Sequence, residues 1–450
     1  MIALKQKGTI NTMNYLQQIL NQQQAKTIII PHIDSKKQGA TDHVIAIRDQ
    51  LIAQHPDALI LTPIDNKGGE GNIPEQLQAI KQAFPNANAI VVSGDYCKEG
   101  ALFKEVLGAD TKVLVSSYTF ENPFLKSQFE KKEIDYLAIP AHSLMEGVLP
   151  EADAALLKAN KDRIIEMNGV PHTANQETIA EKVKLWNEAT QNLIPPLPDI
   201  KAGEKPVMVI IPGDVENPGD KPLHFSEADA RKLAGAVWQQ SSKNGTINPV
   251  FMVTNGPRTG KYKDTENPAF DSHNADLFHN ADRMNGTEHN PVSKAFIEAL
   301  QEHARNAGCE ARIIDGCIHK GVVPPQGFLA FYDVLNKHGG ELYMDGVSTS
   351  MTSEATSLIT NQKVKIIACD TPAKTNTHTA AMNDFFIKGY VDKLQLDNGT
   401  YSYLQNPQQR EQVPSFNDAA IAANNIVSLT KTRSFTTQLA NNPMTASMRR

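Results

Sequence analysis

The chain has 450 residues, long enough to bury more than one hydrophobic core, and two domains are the natural expectation. At 40% hydrophobic and 21% charged residues it is neither disordered nor fibrous, and its net charge of −6 gives no electrostatic footing for general nucleic-acid binding. Four scattered cysteines (Cys97, Cys309, Cys317, Cys369) exclude a disulfide framework, and the Cys309–Cys317 spacing is not that of a zinc knuckle.

From these features a reducing, cytoplasmic setting is expected. The opening MIALKQKGTINTMNYLQQ has neither the apolar core nor the cleavage site of a secretory signal, and no apolar run reaches the length of a membrane span.

The first half alternates strand and helix signals. KTIIIPH (26–32), ALILTP (58–63), NAIVVSGD (88–95), KVLVSS (112–117), IDYLAIP (134–140) and RIIEMNG (163–169) are short, apolar and rich in β-branched residues, as buried parallel strands are. Helical stretches at 42–54, 74–84 and 99–107 separate them. In the first of these, Val44, Ile45, Ile47, Leu51 and Ile52 make an apolar face. Such alternation implies right-handed crossovers and a doubly wound sheet.

NLIPPLPDIKAGEKP (192–206) then places four prolines and a glycine in fifteen residues and reads as a linker. Beyond it the pattern restarts: VMVIIPGD, PVFMVTNG, ARIIDG, ELYMDG and VKIIACD predict five more strands, with helices at 226–239, 291–307, 326–338 and 351–361. The expected architecture is α/β, two Rossmann-like domains facing across a cleft, with an N-terminal domain at 1–194 and a C-terminal one at 207–405. From 406 to 450 the chain offers a helix (416–429) returning to the first domain, then a tail.

The polar stretch 255–290 is too long for an idle connection. Within it HNADLFHNAD (273–282) repeats HNAD, so His273, Asp276, His279 and Asp282 form either a divalent-metal set or a chance duplication in a polar loop; no metal is assigned.

The sharpest chemical signal is ELYMDGVSTSMTSEATSLIT (341–360). A strand ends at Asp345–Gly346, a small polar turn follows, and a helix starts near Met351. Ligands of open α/β sheets bind beyond the carboxyl ends of strands, and a helix start there offers free N–H groups and partial positive charge to an anion. Ser348, Thr349, Ser350, Thr352 and Ser353 can add hydroxyl donors around a diphosphate, and Glu354 can accept from two ribose hydroxyls. The plainer alternative is a serine/threonine cap with Glu354 as its capping-box partner. Gly213 permits close approach of main chain to a phosphate, and Arg258 adds a bidentate cation, the alternative being a solvated surface arginine.

The run Asp345–Ala355 resembles the nucleotide-sugar motif of GT-B glycosyltransferases and is most similar to the mitochondrial-fission ELM family of GT-B-type proteins. VMVIIPGD with HFSEADARKLAGAV (224–237), VFMVTNGPRTG (251–260) and IDYLAIPAHS (134–143) resemble further segments of that family. The chain departs from it at Pro257–Arg258, where paired arginines are usual, at Ser143, where aspartate is usual, and at GATDH (39–43), which replaces a G-H-x-x-Q segment.

The resemblance implies a glycosyltransferase using a nucleotide-sugar substrate (UDP- or GDP-sugar) and no further cofactor. Its acceptor, on the side of the first domain, is unspecified. An inverting enzyme needs a base there. His32, Asp34, Asp95 and His142 stand at strand ends, and His142 leads because it follows a strand inside a family-like segment; its alternative is a histidine bonded within its own loop. A nucleotide-sugar 2-epimerase or hydrolase, using Asp95, His142 and Asp214, and a catalytically weak GT-B scaffold that binds partners are the competing readings.

Overall fold

In the computed structural model the alternation of strands and helices resolves into two seven-stranded sheets. The structure describes residues 27–33, 38–54, 59–61, 63–65, 73–190, 195–215, 221–243, 248–263, 288–318, 326–408, 417–426 and 428. Asp34, the HNAD repeat, Phe416 and Leu429, and the tail beyond lie outside the described residues.

The first sheet contains β1 (Thr27–Ile33), β2 (Leu59–Ile60), β3 (Ile64–Asp65), β4 (Asn88–Gly94), β5 (Lys112–Ser116), β6 (Tyr136–Pro140) and β7 (Ile164–Met167). All of its pairings are parallel, in the order β2-β1-β4-β5-β6-β7, with β3 continuing the edge beside β1. The helices that return the chain are α1 (Gln38–Gln54), α2 (Ile73–Ala83), α3 (Gly100–Leu107), α4 (Pro123–Glu130) and α5 (Glu151–Ala159).

Successive strand residues point to opposite faces, so a run apolar at every position must feed two cores. Ile28, Ile30, Val91, Val113, Val115, Leu137 and Ile139 enter one core, whereas Ile29, Ile90, Val92, Leu114 and Ala138 enter the other.

That second core is completed from far along the chain. A helix over 418–426, α12 once the elements between are numbered, contributes Ala419, Ala422, Ala423 and Ile426. Their three- and four-residue spacing makes one apolar stripe.

The second sheet contains β8 (Glu204–Ile211), β9 (Asn248–Asn255), β10 (Arg312–Asp315), β11 (Gly340–Asp345), β12 (Val364–Cys369), β13 (Asp392–Asp397) and β14 (Thr400–Leu404), in the order β10-β9-β8-β11-β12-β13-β14. All pairs are parallel except the β13–β14 hairpin. Met208, Ile210, Met252, Leu342 and Met344 line one core of this sheet, and Val207, Val209, Ile211, Phe251, Val253 and Tyr343 the other. Its helices are α6 (Gln176–Thr190), α7 (Glu227–Ser242), α8 (Pro291–Asn306), α9 (Leu329–His338), α10 (Thr349–Leu358) and α11 (Asn376–Ile387).

Two features differ from the sequence expectation. Beyond β12, the last strand expected, the chain forms the β13–β14 hairpin, whose Asn398–Gly399 turn has φ of 50° and 79° at its two central residues. Asn-Gly is the pair that adopts such a turn most readily, so the signal was present.

The second difference is where the chain changes unit. The first compact unit ends at Thr173 and resumes at Asn417, so α6 lies with the second sheet although it precedes the proline-rich segment expected to divide the chain after residue 194. The reason is packing: Ala174, Ile179, Trp186 and Ala189 belong to the core built on Leu342 and Met344. Trp186 packs against Phe331, the ring centroids 4.8 Å apart and the planes tilted by 60°, and donates its indole N–H to the Pro195 carbonyl.

Candidate functional site

In an open parallel sheet the crevice for a ligand lies beyond the carboxyl ends of the strands, where the connections turn to opposite sides. The first sheet reverses between β1 and β4 and the second between β8 and β11. Each reversal gathers buried polar groups.

At the second reversal, β8 runs out through Pro212–Gly213–Asp214 and β11 ends at Asp345, which is 4% exposed. The Asp345 carboxylate accepts the N–H of Val347 (3.1 Å) and the N–H of Gly213 (3.4 Å), tying the two strand ends together. Burial raises the Asp345 pKa to about 6; the Val347 N–H, the charge of Arg258 and the Gly213 N–H oppose it.

Arg258 is half-buried in the turn after β9. Its carbonyl accepts the N–H of Asp214 (3.1 Å) and of Lys261 (3.1 Å). Among the described residues its guanidinium has no ion-pair partner, and its charge reaches Asp345 and His378.

Gly213 is required by the packing of this turn. A Cβ there would lie 2.6 Å from the Thr259 nitrogen and 2.7 Å from the Arg258 carbonyl oxygen. The space left by the missing side chain is filled by the turn carrying Arg258. Asp214 is likewise committed: its carboxylate accepts the N–H groups of Phe225 and Tyr262, both at 3.0 Å, with His224 Nδ1 at 3.4 Å. It clamps two loops and is spent as a sugar-binding carboxylate.

The helix α10 starts at this edge. Its N-cap residue is Ser348, two residues ahead of the Ser350 cap that the sequence offered, and Ser348 supplies no side-chain cap. The hydroxyls divide in a way the sequence could not show. Thr352 Oγ1 donates to the Ser348 carbonyl (2.9 Å) and Ser353 Oγ to the Thr349 carbonyl (2.8 Å), both inside the helix. Their protons are used, and both residues are buried. Ser350 is exposed and Ser348 half-buried, so these two flank the free end. Glu354, 7% exposed, lies where its charge reaches the fully buried Tyr332, whose phenol is pushed well up by burial first and by Glu354 second.

One residue of this edge was missed altogether. Thr375 caps α11, and His378 returns the bond: Thr375 Oγ1 accepts the His378 N–H (3.4 Å) while the Thr375 N–H donates to His378 Nδ1 (3.2 Å). This is a capping box with histidine where glutamate or glutamine is usual, and a search for the usual residues passes over it. Burial, then the charge of Arg258, lowers the His378 pKa to about 4.

At the reversal of the first sheet, His32 ends β1 fully buried, with Nδ1 3.3 Å from Ser93 Oγ and 3.6 Å from Cys97 Sγ, and Nε2 3.3 Å from Glu99 Oε2. Asp95, 6% exposed, follows β4 with a φ of 61°, a left-handed conformation that costs a non-glycine residue about 1 kcal/mol or more. His43, on α1 and 2% exposed, was also missed. Its Nδ1 lies 3.4 Å from the Ser116 carbonyl oxygen, and burial lowers its pKa against the opposing charge of Asp95. It was passed over because it falls inside the apolar face of a helix.

His142 is fully buried in the single turn Ala141–Leu144 after β6, two strands from Asp95 along the same edge. The structure thus sets His32, His43 and Asp95 around one reversal and His142 to the side.

No family model matches this chain, and no curated protein matches it, so membership of the ELM family is not shown. Among solved structures, the chain is similar in fold to a crystal structure of UGT71G1 from Medicago truncatula complexed with UDP-glucose. The TM-score is 0.37 and the identity 10%, over 88% of this chain and 89% of that one. Among the described residues, no helix is long and apolar enough to cross a membrane.

Proposed function

We propose that the chain is a GT-B-type glycosyltransferase whose nucleotide-diphosphate sugar, a UDP- or GDP-sugar, binds at the β8–β11 reversal of the second sheet. The observation that carries the reading is the cation there. Arg258, without an ion-pair partner among the described residues, stands at the edge where α10 begins without a side-chain cap from Ser348. A helix start alone binds anions weakly, whereas a guanidinium beside it fixes phosphate geometry.

In this reading the α10 amides, Ser348 and Ser350 hold the diphosphate with Arg258, and Glu354 takes the ribose hydroxyls. Thr352 and Ser353 act as acceptors or shape the helix rather than as donors. Departure of the diphosphate is stabilised by these fixed dipoles and the cation, with no call for a metal. The likeness of Asp345–Ala355 to the GT-B and ELM motif supports the same assignment.

The acceptor is activated by a base of the first unit, for which His142, Asp95 and His32 are the proposed groups and His43 a fourth. His142→Ala is expected to lower turnover by about 10²–10⁴ with donor affinity intact. Undiminished turnover passes the role to the His43–Asp95 pair and His32.

Calorimetry with UDP, GDP, ADP and CMP against their nucleosides tests the donor site. A nucleoside diphosphate is expected to bind far more tightly than its nucleoside, and Arg258→Ala to remove much of that difference. No binding at millimolar concentration, or phosphates located away from Ser348–Ser350 after soaking, removes the donor-site reading and favours a scaffold that binds partners.

A further inference from the structure

The diphosphate reading leaves His378 without a role, yet it occupies the same edge. Gly346, at the turn between β11 and α10, packs so tightly that a Cβ would lie 2.7 Å from the Cys369 carbonyl oxygen and 2.9 Å from Met382 Sδ. Met382 is therefore on the face of α11 that covers this turn. His378 is four residues earlier on α11, hence on the same face and one turn nearer the helix start.

The ring has a fixed chemistry. Because Nδ1 accepts the Thr375 N–H, the neutral ring must carry its proton on Nε2. Among the described residues, Nε2 has no hydrogen-bond partner. The charge that reaches it is that of Arg258 from the β9 turn, which also reaches Asp345 at the end of β11, while Lys374 before α11 is paired with Asp370 at 2.6 Å.

We propose that His378 is a second phosphate-recognising side chain, presenting Nε2–H to the terminal phosphate of a nucleoside diphosphate held at the start of α10 beside Arg258. The proposal rests on the diphosphate reading and extends it to a residue that no sequence motif marks. The cap orients the ring, and burial first and the nearby guanidinium second keep it neutral, so that it donates one directed bond without adding a second full positive charge. A terminal phosphate brought next to the ring favours the imidazolium, so binding must raise the pKa of His378 from its low starting value.

The test uses the 450-residue chain labelled with ¹⁵N, with the His378 ring assigned by its disappearance in His378→Gln. Long-range ¹H–¹⁵N spectra of the free protein are expected to show the Nε2-protonated tautomer. UDP is expected to shift the Nε2 signal and raise the titration midpoint of this ring by about one pH unit or more, and uridine to do neither.

His378→Glu keeps the capping box but replaces the donor with a negative charge. It is expected to melt like the wild type and to weaken UDP about tenfold or more, with uridine affinity unchanged. His378→Gln, which keeps both a cap acceptor and a donor, should fall between the two.

UDP binding to the wild type with the His378 ring undisturbed overturns this inference alone. So does a His378→Glu variant that binds UDP as well as the wild type, or one that loses UDP and uridine equally. Failure of the wild type to bind UDP or GDP overturns the diphosphate reading and the inference together.

Discussion

Asp418 accepts the main-chain N–H of Gly169 at 2.8 Å, a bond that spans 249 residues of sequence. The other oxygen of the same carboxylate accepts the Asn168 N–H, also at 2.8 Å. One side chain at the start of α12 thus holds the end of β7, and the alanine stripe behind it closes the core over Ile29, Leu114 and Ala138.

Asp418→Ala should therefore cost about 1–3 kcal/mol, the range for hydrogen bonds to a charged acceptor and for amides left behind. Hydrogen exchange at Asn168 and Gly169 should accelerate ahead of global unfolding. Unchanged exchange at those two amides, with an unchanged midpoint in denaturant, would show that α12 is held by its apolar stripe alone.

Gly213 is the second test of packing. The Arg258–Thr259 main chain occupies the volume a Cβ would need, and main chain yields less readily than a side-chain tip. Gly213→Ala is expected to cost about 1–3 kcal/mol by overpacking. It should also weaken diphosphate binding, since the turn carrying Arg258 has to move. A variant as stable as the wild type, with full affinity, contradicts the packing described here.

Asp345 gives a pH signature with a defined sign. Its carboxyl titrates at about 6 in the folded chain against 3.8 when unperturbed, so the native state binds a proton that the unfolded state has released. The stability from this group is complete below about pH 3.8 and is lost as pH rises through about 6. That displacement corresponds to about 3 kcal/mol. Urea unfolding of wild type and Asp345→Asn from pH 4 to pH 8 measures it. Wild-type stability relative to the variant should fall as pH rises, and a difference independent of pH would falsify the assignment.

Glu354 separates binding from structure. If its carboxylate holds ribose hydroxyls, Glu354→Ala should weaken nucleotide binding by about 1.5–3 kcal/mol, the scale of a hydrogen bond to a charged group. The change in stability should be nearer ~1 kcal/mol, as for a lost cap. Intact affinity with a large drop in melting temperature would place Glu354 among the groups that support the buried Tyr332 instead.

The strand runs were legible because their chemistry is local. A segment such as VMVII, apolar at every position, has no polar face to offer water, so it must be buried on both sides. Met208 and Ile210 enter one core and Val207, Val209 and Ile211 the other. The start of α10 was legible for a similar reason, since the small polar residues 348–350 follow directly on an apolar strand. The signal of the β13–β14 hairpin is equally local and lies in its Asn398–Gly399 turn.

The rest depended on which strand lies beside which. Local pattern fixes that a strand is buried but not its neighbour, because any apolar partner satisfies the same surface. Only the pairing of β8 with β11 brings Gly213 to Asp345, 132 residues away, and fills the glycine's space with the Arg258 turn. Only the packing of α11 against that turn brings His378 to the same edge, and only the burial of Ala174, Ile179, Trp186 and Ala189 in the core over Leu342 and Met344 draws α6 into the second unit ahead of the prolines.

The sequence by itself determined the α/β class, the buried parallel strands up to β12 and the start of α10, through hydrophobic period and proline, glycine and capping chemistry. The tertiary structure alone decided which hydroxyls are spent inside the helix, which carboxylates are clamps and, among the described residues, that the guanidinium of Arg258 has no ion-pair partner. Those outcomes follow from desolvation and hydrogen-bond competition among groups that meet only when distant segments pack.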